Sequence, residues 1–165
     1  MPGDIFRFLA DDHARLDALL QRAGANPTAI DLSAYGEFRA GLLKHIGMEE
    51  KILLPAAQKR RGGEPLAVAA KLRLDHGALA ALLVPTPTQA IVAAIRTILA
   101  AHNPIEEGPG GVYEECENVA GVEADQILRQ LRDAPNVRAV PNFDGPNVIE
   151  ATRRALTKAG YNLRL

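Results

Sequence analysis

Two copies of the pattern His-x-x-x-Glu constrain this 165-residue chain more than any other feature of its sequence. They run from His45 to Glu49 and from His102 to Glu106. Residues four apart lie above one another on the same face of an α-helix, so each pair can direct an imidazole and a carboxylate at one point. The pattern therefore predicts two helices with inward-facing polar side chains.

The two remaining histidines, His13 and His76, lie in apolar segments of their own, so each of four predicted helices carries one histidine. A single histidine on an apolar face is usually a hydrogen-bonded core or boundary residue. Four of them would each need a polar partner in a core that offers almost none besides the two glutamates. A shared metal accounts for all six groups, because it also compensates the charge of buried carboxylates. We predict a metal cluster formed by His13, His45, Glu49, His76, His102 and Glu106.

Apolar residues recur at the spacing of amphipathic helices up to the second His-x-x-x-Glu pattern. Thr86, Pro87 and Gln89 indicate a capping box with proline at the first helical position. The spacing predicts four helices over residues 4–22, 32–59, 65–84 and 87–106. On the second helix, one face is predicted to hold Phe38, Leu42, His45, Glu49, Ile52 and Ala56. The short connections predict an all-α, up-down-up-down four-helix bundle.

The remainder of the chain predicts additional C-terminal helices. A fifth helix is expected over residues 112–131 and a sixth over 146–158, closed by Gly160, with a loop rich in Pro and Asn over 134–145. We assign residues 1–117 to a metal-binding bundle and residues 118–165 to a helical extension packed on the same domain. The extension has no recognisable chemistry and is expected to cap the bundle or to form a homodimer surface.

Composition restricts the class of protein. With 47% hydrophobic residues, the chain can bury the core of one domain. Its 19 basic and 20 acidic residues nearly cancel, so neither nucleic acid nor a membrane surface is an expected partner. Cys116 is the single cysteine, which excludes an intrachain disulfide, and the first residues lack the basic and apolar pattern of a signal peptide. We expect a cytoplasmic protein.

The segments around the four histidines resemble the hemerythrin-like domains, also called HHE cation-binding domains. The resemblance covers residues 4–117 and is carried by DDHARLD around His13, HIGMEEKILLP from His45, LDHGALAALL around His76 and HNPIEE from His102. It implies a four-helix bundle that holds two iron ions. It further implies that Glu49 and Glu106 bridge the ions and that the four histidines are terminal ligands.

The sequence departs from the oxygen-carrying hemerythrins at Ala80, where those carriers have a further histidine one turn after the one on the third helix. With about six positions per iron, the histidines, the two bridging carboxylates and an oxo or hydroxo bridge would leave roughly one position open on each ion. A more open site resembles the metal domain of bacterial iron-centre repair proteins. Their separate cysteine-bearing N-terminal domain has no counterpart here.

A second departure is Pro104, which lies inside the second His-x-x-x-Glu pattern. Proline removes a backbone hydrogen bond and disfavours helix at the preceding residue, so we expect the fourth helix to kink. A kink changes the direction of the residues after His102, and Glu107 is therefore an alternative to Glu106 as the ligand. We favour Glu106 because it keeps the one-turn spacing.

Several other polar residues neighbour the predicted ligands. Glu50 is expected to be solvated, and so is Glu107 if it is not the ligand. Asp17 and Asp75 are candidates for orienting imidazoles, although a surface role is favoured for both. Tyr113 is within possible reach of the site, but a structural role is the expectation.

Three classes of function fit these residues. The first is a di-iron protein that binds or senses oxygen, nitric oxide or peroxide. The second is a redox enzyme or iron-supplying protein of the oxidative or nitrosative stress response, and the third is a helical interaction protein with a structural metal. Imidazole and carboxylate ligands also accept manganese or zinc. Ferritin-like and zincin sites are excluded, because Glu-x-x-His and His-Glu-x-x-His are absent.

Overall fold

Helices form all the regular secondary structure of the computed structural model, which describes residues 1–165. In chain order they are α1 (Asp4–Ala23), α2 (Leu32–Met48), α3 (Leu54–Arg60), α4 (Ala69–Leu82), α5 (Gln89–Glu107), α6 (Val112–Ala120), α7 (Ala124–Arg132) and α8 (Val148–Ala159). The predicted all-α class is confirmed. None of these helices combines the length and apolar character needed to cross a bilayer.

A π-helical turn, Glu49–Leu53, separates α2 from α3 where the sequence predicts one regular helix. A π turn has wider hydrogen-bonded rings than an α turn, so it shifts the face that the following residues present. Leu53 and Ala57 are therefore buried, whereas Ile52 and Ala56 are only half-buried. Ile52 and Ala56 thus pack at the edge of the Leu53 cluster instead of inside it, because the predicted face assumes an unbroken α-helical repeat.

The starts of α4 and α5 also differ from the predicted positions. The helix α4 begins four residues after Pro65, following a turn. Thr88 caps α5, since its hydroxyl accepts a hydrogen bond from the Ile91 N–H at 3.2 Å. Thr86 is not the cap, because its own N–H and hydroxyl donate to the Asp144 carboxylate. Beyond the cap, α5 continues through Pro104 to Glu107.

The apolar core consists of two clusters, one around Phe38 and one around Leu53. On α1, Leu9 belongs to the Leu53 cluster and Leu16 to the Phe38 cluster, with His13 between them. The other three long helices repeat this arrangement, with Leu42, His45 and Met48 on α2, Leu72, His76 and Leu79 on α4, and Ile98, His102 and Ile105 on α5. The histidines thus form a polar layer between two apolar layers.

The C-terminal half departs from the single helix predicted over residues 112–131. Gly121, with φ of 53°, ends α6 and begins a short 3₁₀ turn, after which α7 resumes. Val122 lies on this turn and is 95% exposed, so it is not part of the apolar core. The predicted loop over residues 134–145 contains no helix. The last helix, α8, packs along α4 and is closed by Gly160, as the sequence indicates.

The π turn makes a prediction about stability. Leu53→Ala is expected to lower the free energy of unfolding by about 2–5 kcal/mol, because it leaves a cavity in the Leu53 cluster. Ile52→Ala, the matched control, is expected to cost clearly less, because that side chain is half-buried. Urea denaturation of the two metal-free variants measures the difference. If Ile52→Ala lowered the free energy of unfolding more than Leu53→Ala does, a regular α-helix in place of the π turn would be indicated.

Candidate metal centre

The six predicted ligand residues come together in the polar layer, and each is at most 7% exposed. Their donor atoms form two groups, and within each group all atoms lie within 4.8 Å of one another. We call the group with His13 and His45 the first site and the group with His76 and His102 the second site. Glu49 and Glu106 belong to both sites. This arrangement, in which two pairs of imidazoles share two carboxylates, is the one expected when the carboxylates bridge two metal ions.

Several inward-facing atoms lack a hydrogen-bond partner, although they are completely buried. They are Glu49 Oε2, His76 Nε2 and Glu106 Oε1. His76 Nε2 lies 3.1 Å from Glu49 Oε2, and His102 Nε2 lies 2.9 Å from Glu106 Oε1, but the angles do not suit hydrogen bonds. Buried polar groups without partners are costly, and converging donors of this kind suit a cation. The residues present therefore fit a metal ion in each site.

Each imidazole also has a carboxylate on its outer side. An ionised carboxylate only accepts hydrogen bonds, so Nδ1 carries the donated proton, and once the inward proton is displaced the Nε2 lone pair faces the site. This tautomer is the one that binds a metal through Nε2. The four pairs are His13 with Glu107 at 3.2 Å, His45 with Asp12 at 2.8 Å, His76 with Glu50 at 2.7 Å and His102 with Asp75 at 3.0 Å.

The outer carboxylates follow from a pattern that occurs twice in the sequence, Asp-His and then His-x-x-x-Glu-Glu. The aspartates Asp12 and Asp75 each precede one histidine but accept from the histidine of the next long helix. The second glutamates, Glu50 and Glu107, accept from the histidine of an Asp-His pair in the other half. The acid beside each ligand is the signal by which these partners can be found in the sequence.

The structure corrects the expectations for three of these acids and agrees with the surface role favoured for Asp17. Glu50 and Glu107 are not simply solvated, because each accepts from an imidazole. Asp75 does orient an imidazole, and it is completely buried rather than at the surface. Asp17 accepts instead from Gln21 on the exposed side of α1. Sequence reasoning missed Asp12 altogether, because the residue before His13 shows its role only once α2 is packed beside it.

Glu106, not Glu107, lies in the cluster. Because α5 stays helical through Pro104, Glu106 keeps its one-turn relation to His102, with 2.9 Å between Oε1 and Nε2. Its other oxygen, Oε2, lies 3.3 Å from His13 Nε2. Glu107 instead reaches the outer nitrogen of the same histidine. The geometry agrees with the ligand set expected from the sequence, and ligation itself stays a prediction.

Tyr113 lies among the predicted ligands, a position that the sequence left possible but did not favour. It lies in the first turn of α6 and is completely buried, and its Oη lies inside the first site instead of in apolar packing. Its hydroxyl donates to Glu49 Oε1 at 2.5 Å, and Oη also lies 3.1 Å from Glu106 Oε2. The same oxygen lies 3.0 Å from His13 Nε2 and 3.1 Å from His45 Nε2. The second site has no equivalent group.

The metal-free cluster holds protons. Burial disfavours the charged form of His45, but Glu49 and Asp12 outweigh it and raise the pKa to about 10. Burial likewise opposes protonation of His76, and Glu106 and Glu49 raise its pKa to about 10. For Tyr113, burial and the two central carboxylates hold the phenol pKa well above its ordinary value. A metal must therefore displace protons from this site.

Comparison with known proteins gives the family. The model of the hemerythrin HHE cation-binding domain matches residues 4–133. The chain belongs to this family, and the matched region extends beyond residue 117 to include α6 and α7 in full. The helix α8 lies outside it. No curated protein and no solved structure was found to match the chain.

The raised pKa values predict how metal-dependent stability varies with pH. Since His45 and His76 titrate near 10 when folded and near 6.5 when unfolded, their protons stabilise the metal-free protein below pH 6.5. This contribution is lost as the pH rises toward 10. A bound metal excludes these protons, so the Tm difference between metal-loaded and metal-free protein is expected to widen from pH 6.5 upward. A difference that is constant or narrows over this range would contradict the assignment.

Proposed function

We propose that this protein holds two iron ions, one in each site, with Glu49 and Glu106 as bridging carboxylates. The observation that carries the proposal is that both carboxylates belong to both sites, while each site has two imidazoles of its own. Such nitrogen and oxygen donors suit iron, and they also accept manganese or zinc. The phenol of Tyr113 adds a hard oxygen donor, which favours iron in its ferric state.

We further propose that Tyr113 is a fifth ligand at the first site. Ligands about 2.1 Å from one metal and at right angles to each other are about 3 Å apart. Tyr113 Oη lies between 2.5 and 3.1 Å from the four inward atoms of this site, as a neighbouring ligand would. Ligation would displace the phenol proton that Glu49 accepts in the metal-free protein.

The donors of the two sites are unequal in number. The first site has five, counting Tyr113, and the second has four. With about six positions per metal, the protein leaves two positions of the second site unfilled, one more than at the first site, for a bridging oxygen and an outside ligand. One turn after His76, Ala80 offers only a methyl group, so this chain supplies no further imidazole there.

The function that this geometry supports best is binding or sensing of a small ligand at the second site. Oxygen, nitric oxide and peroxide are the ligand class, because a bound iron pair supplies electrons and open positions for such molecules. His76 and His102 would border the ligand, and Glu50 and Asp75 would hold these imidazoles in place. A cytoplasmic location is part of the proposal and rests on the single, buried cysteine.

A second candidate is a redox enzyme or iron-supplying protein of the stress response. The unequal sites favour this candidate. A protein that only carries a ligand must release it unchanged, whereas a metal pair with several open positions is exposed to irreversible reaction with the ligand. The two functions differ in the fate of the ligand. A stable adduct that is reversed by removing the ligand indicates binding, and consumption of the ligand over many turnovers indicates an enzyme.

Visible spectroscopy of the iron-loaded protein tests both parts of the proposal. The ferric wild type is expected to show a phenolate-to-iron charge-transfer band, which Tyr113→Phe should remove. Tyr35→Phe is the matched control, because Tyr35 is also buried but packs against Phe38 with its hydroxyl unpartnered. It should retain the band.

Nitric oxide, oxygen or peroxide added to the reduced protein should change the spectrum of both the wild type and Tyr113→Phe, because the proposed ligand position is at the second site. A band that survives Tyr113→Phe would refute ligation by the phenol. No response of the wild type to any of the three ligands, despite bound iron, would refute the small-ligand function and leave a structural metal.

A further inference from the structure

The outer carboxylates of the two sites are held differently. Asp12, which orients His45 at the first site, accepts from Arg15 on its own helix. Asp75, which orients His102 at the second site, accepts from Lys71 at 2.5 Å. Asp75 is completely buried, so its two carboxylate oxygens depend on these protein partners rather than on solvent.

Lys71 connects Asp75 with the end of the chain. Its ammonium also donates to the backbone carbonyl of Ala159, the last residue of α8, at 2.9 Å. This carbonyl is one of those that a helix C-terminus leaves without an intrahelical partner, and a cation is favourable there. The ammonium lies 4.7 Å from the centre of the Tyr161 ring, within the range of a cation–π contact.

The geometry of the α8 C-terminus is specific. Gly160 has φ of 92°, which a residue with a side chain rarely adopts, and its N–H donates to the Thr157 carbonyl. The Tyr161 N–H donates back to the Leu156 carbonyl, as in a Schellman motif. This turn brings the Tyr161 ring to Lys71. The first site has no lysine that links its aspartate to the end of the chain, because Phe8 occupies the position four residues before Asp12.

We propose that the C-terminal helix α8 positions the second metal site, with Lys71 and Asp75 as positioning residues that fix the His102 imidazole. The inference rests on the proposed function, since it assumes a metal at the second site. The second site would then depend on α8, a helix that lies outside the region matched by the family. Metal release from the second site and opening of α8 are coupled events.

Lys71→Met tests this proposal in the full-length, iron-loaded protein, because methionine keeps the apolar stem and removes both hydrogen bonds. One of the two irons is expected to leave about threefold to tenfold faster to a competing chelator, less than the tenfold or more seen when the direct partner of a metal ligand is lost, because Lys71 acts through Asp75. The charge-transfer band of the first site should persist. Lys44→Met is the matched control, because Lys44 also contacts the tail, at Asn136, but no carboxylate of the site. It should release iron as the wild type does.

Hydrogen exchange of the wild type gives a second test that does not depend on a variant. Loading the metal should slow amide exchange in α8, because the two are linked through Lys71. Unchanged exchange in α8, wild-type release from Lys71→Met, or equal acceleration at both sites would each overturn the proposal. If the wild type does not bind two metals, the proposed function itself fails. If it does and Lys71→Met behaves normally, this inference alone fails.

Discussion

Two buried carboxylates at the centre of the bundle, Glu49 and Glu106, impose the constraint on which the rest of this structure depends. At the 4.8 Å limit of the cluster and an effective dielectric constant of about 20, two such charges repel by on the order of 3 kcal/mol. Burial adds a desolvation cost of several kcal/mol for each. Neutral imidazoles cannot offset these terms. The layer needs positive charge, which protons on His45 and His76 supply without metal and cations supply with it.

The chain repeats its chemistry and then breaks the symmetry of the repeat. Both halves have an Asp-His pair and a His-x-x-x-Glu-Glu pattern, and these give the two sites equal imidazoles and shared carboxylates. The difference comes from elements after the four long helices. Tyr113 on α6 enters only the first site, whereas the end of α8 contacts Lys71, which lies beside the second site. The elements beyond the bundle therefore give two similar sites different surroundings.

Sequence alone predicted the features that depend on local periodicity. The helical class and the convergence of six ligand residues follow from one-turn spacings, and Glu106 was favoured over Glu107 on the same ground. The failures occur where tertiary contacts override that repeat. Because of the π turn at Glu49–Leu53, Leu53 is buried and Ile52 is only half-buried, and no residue type in the sequence predicts such a turn. Tyr113 and Asp12 become part of the site only through packing between segments far apart in the chain.

The most direct test of the central claim is anomalous diffraction at the iron absorption edge from crystals of the iron-loaded protein. The account predicts two peaks, one beside His13 and His45 and the other beside His76 and His102. Glu49 and Glu106 should contact both peaks, and Glu107 neither. A single peak, or a central carboxylate that contacts only one of the two ions, would contradict it.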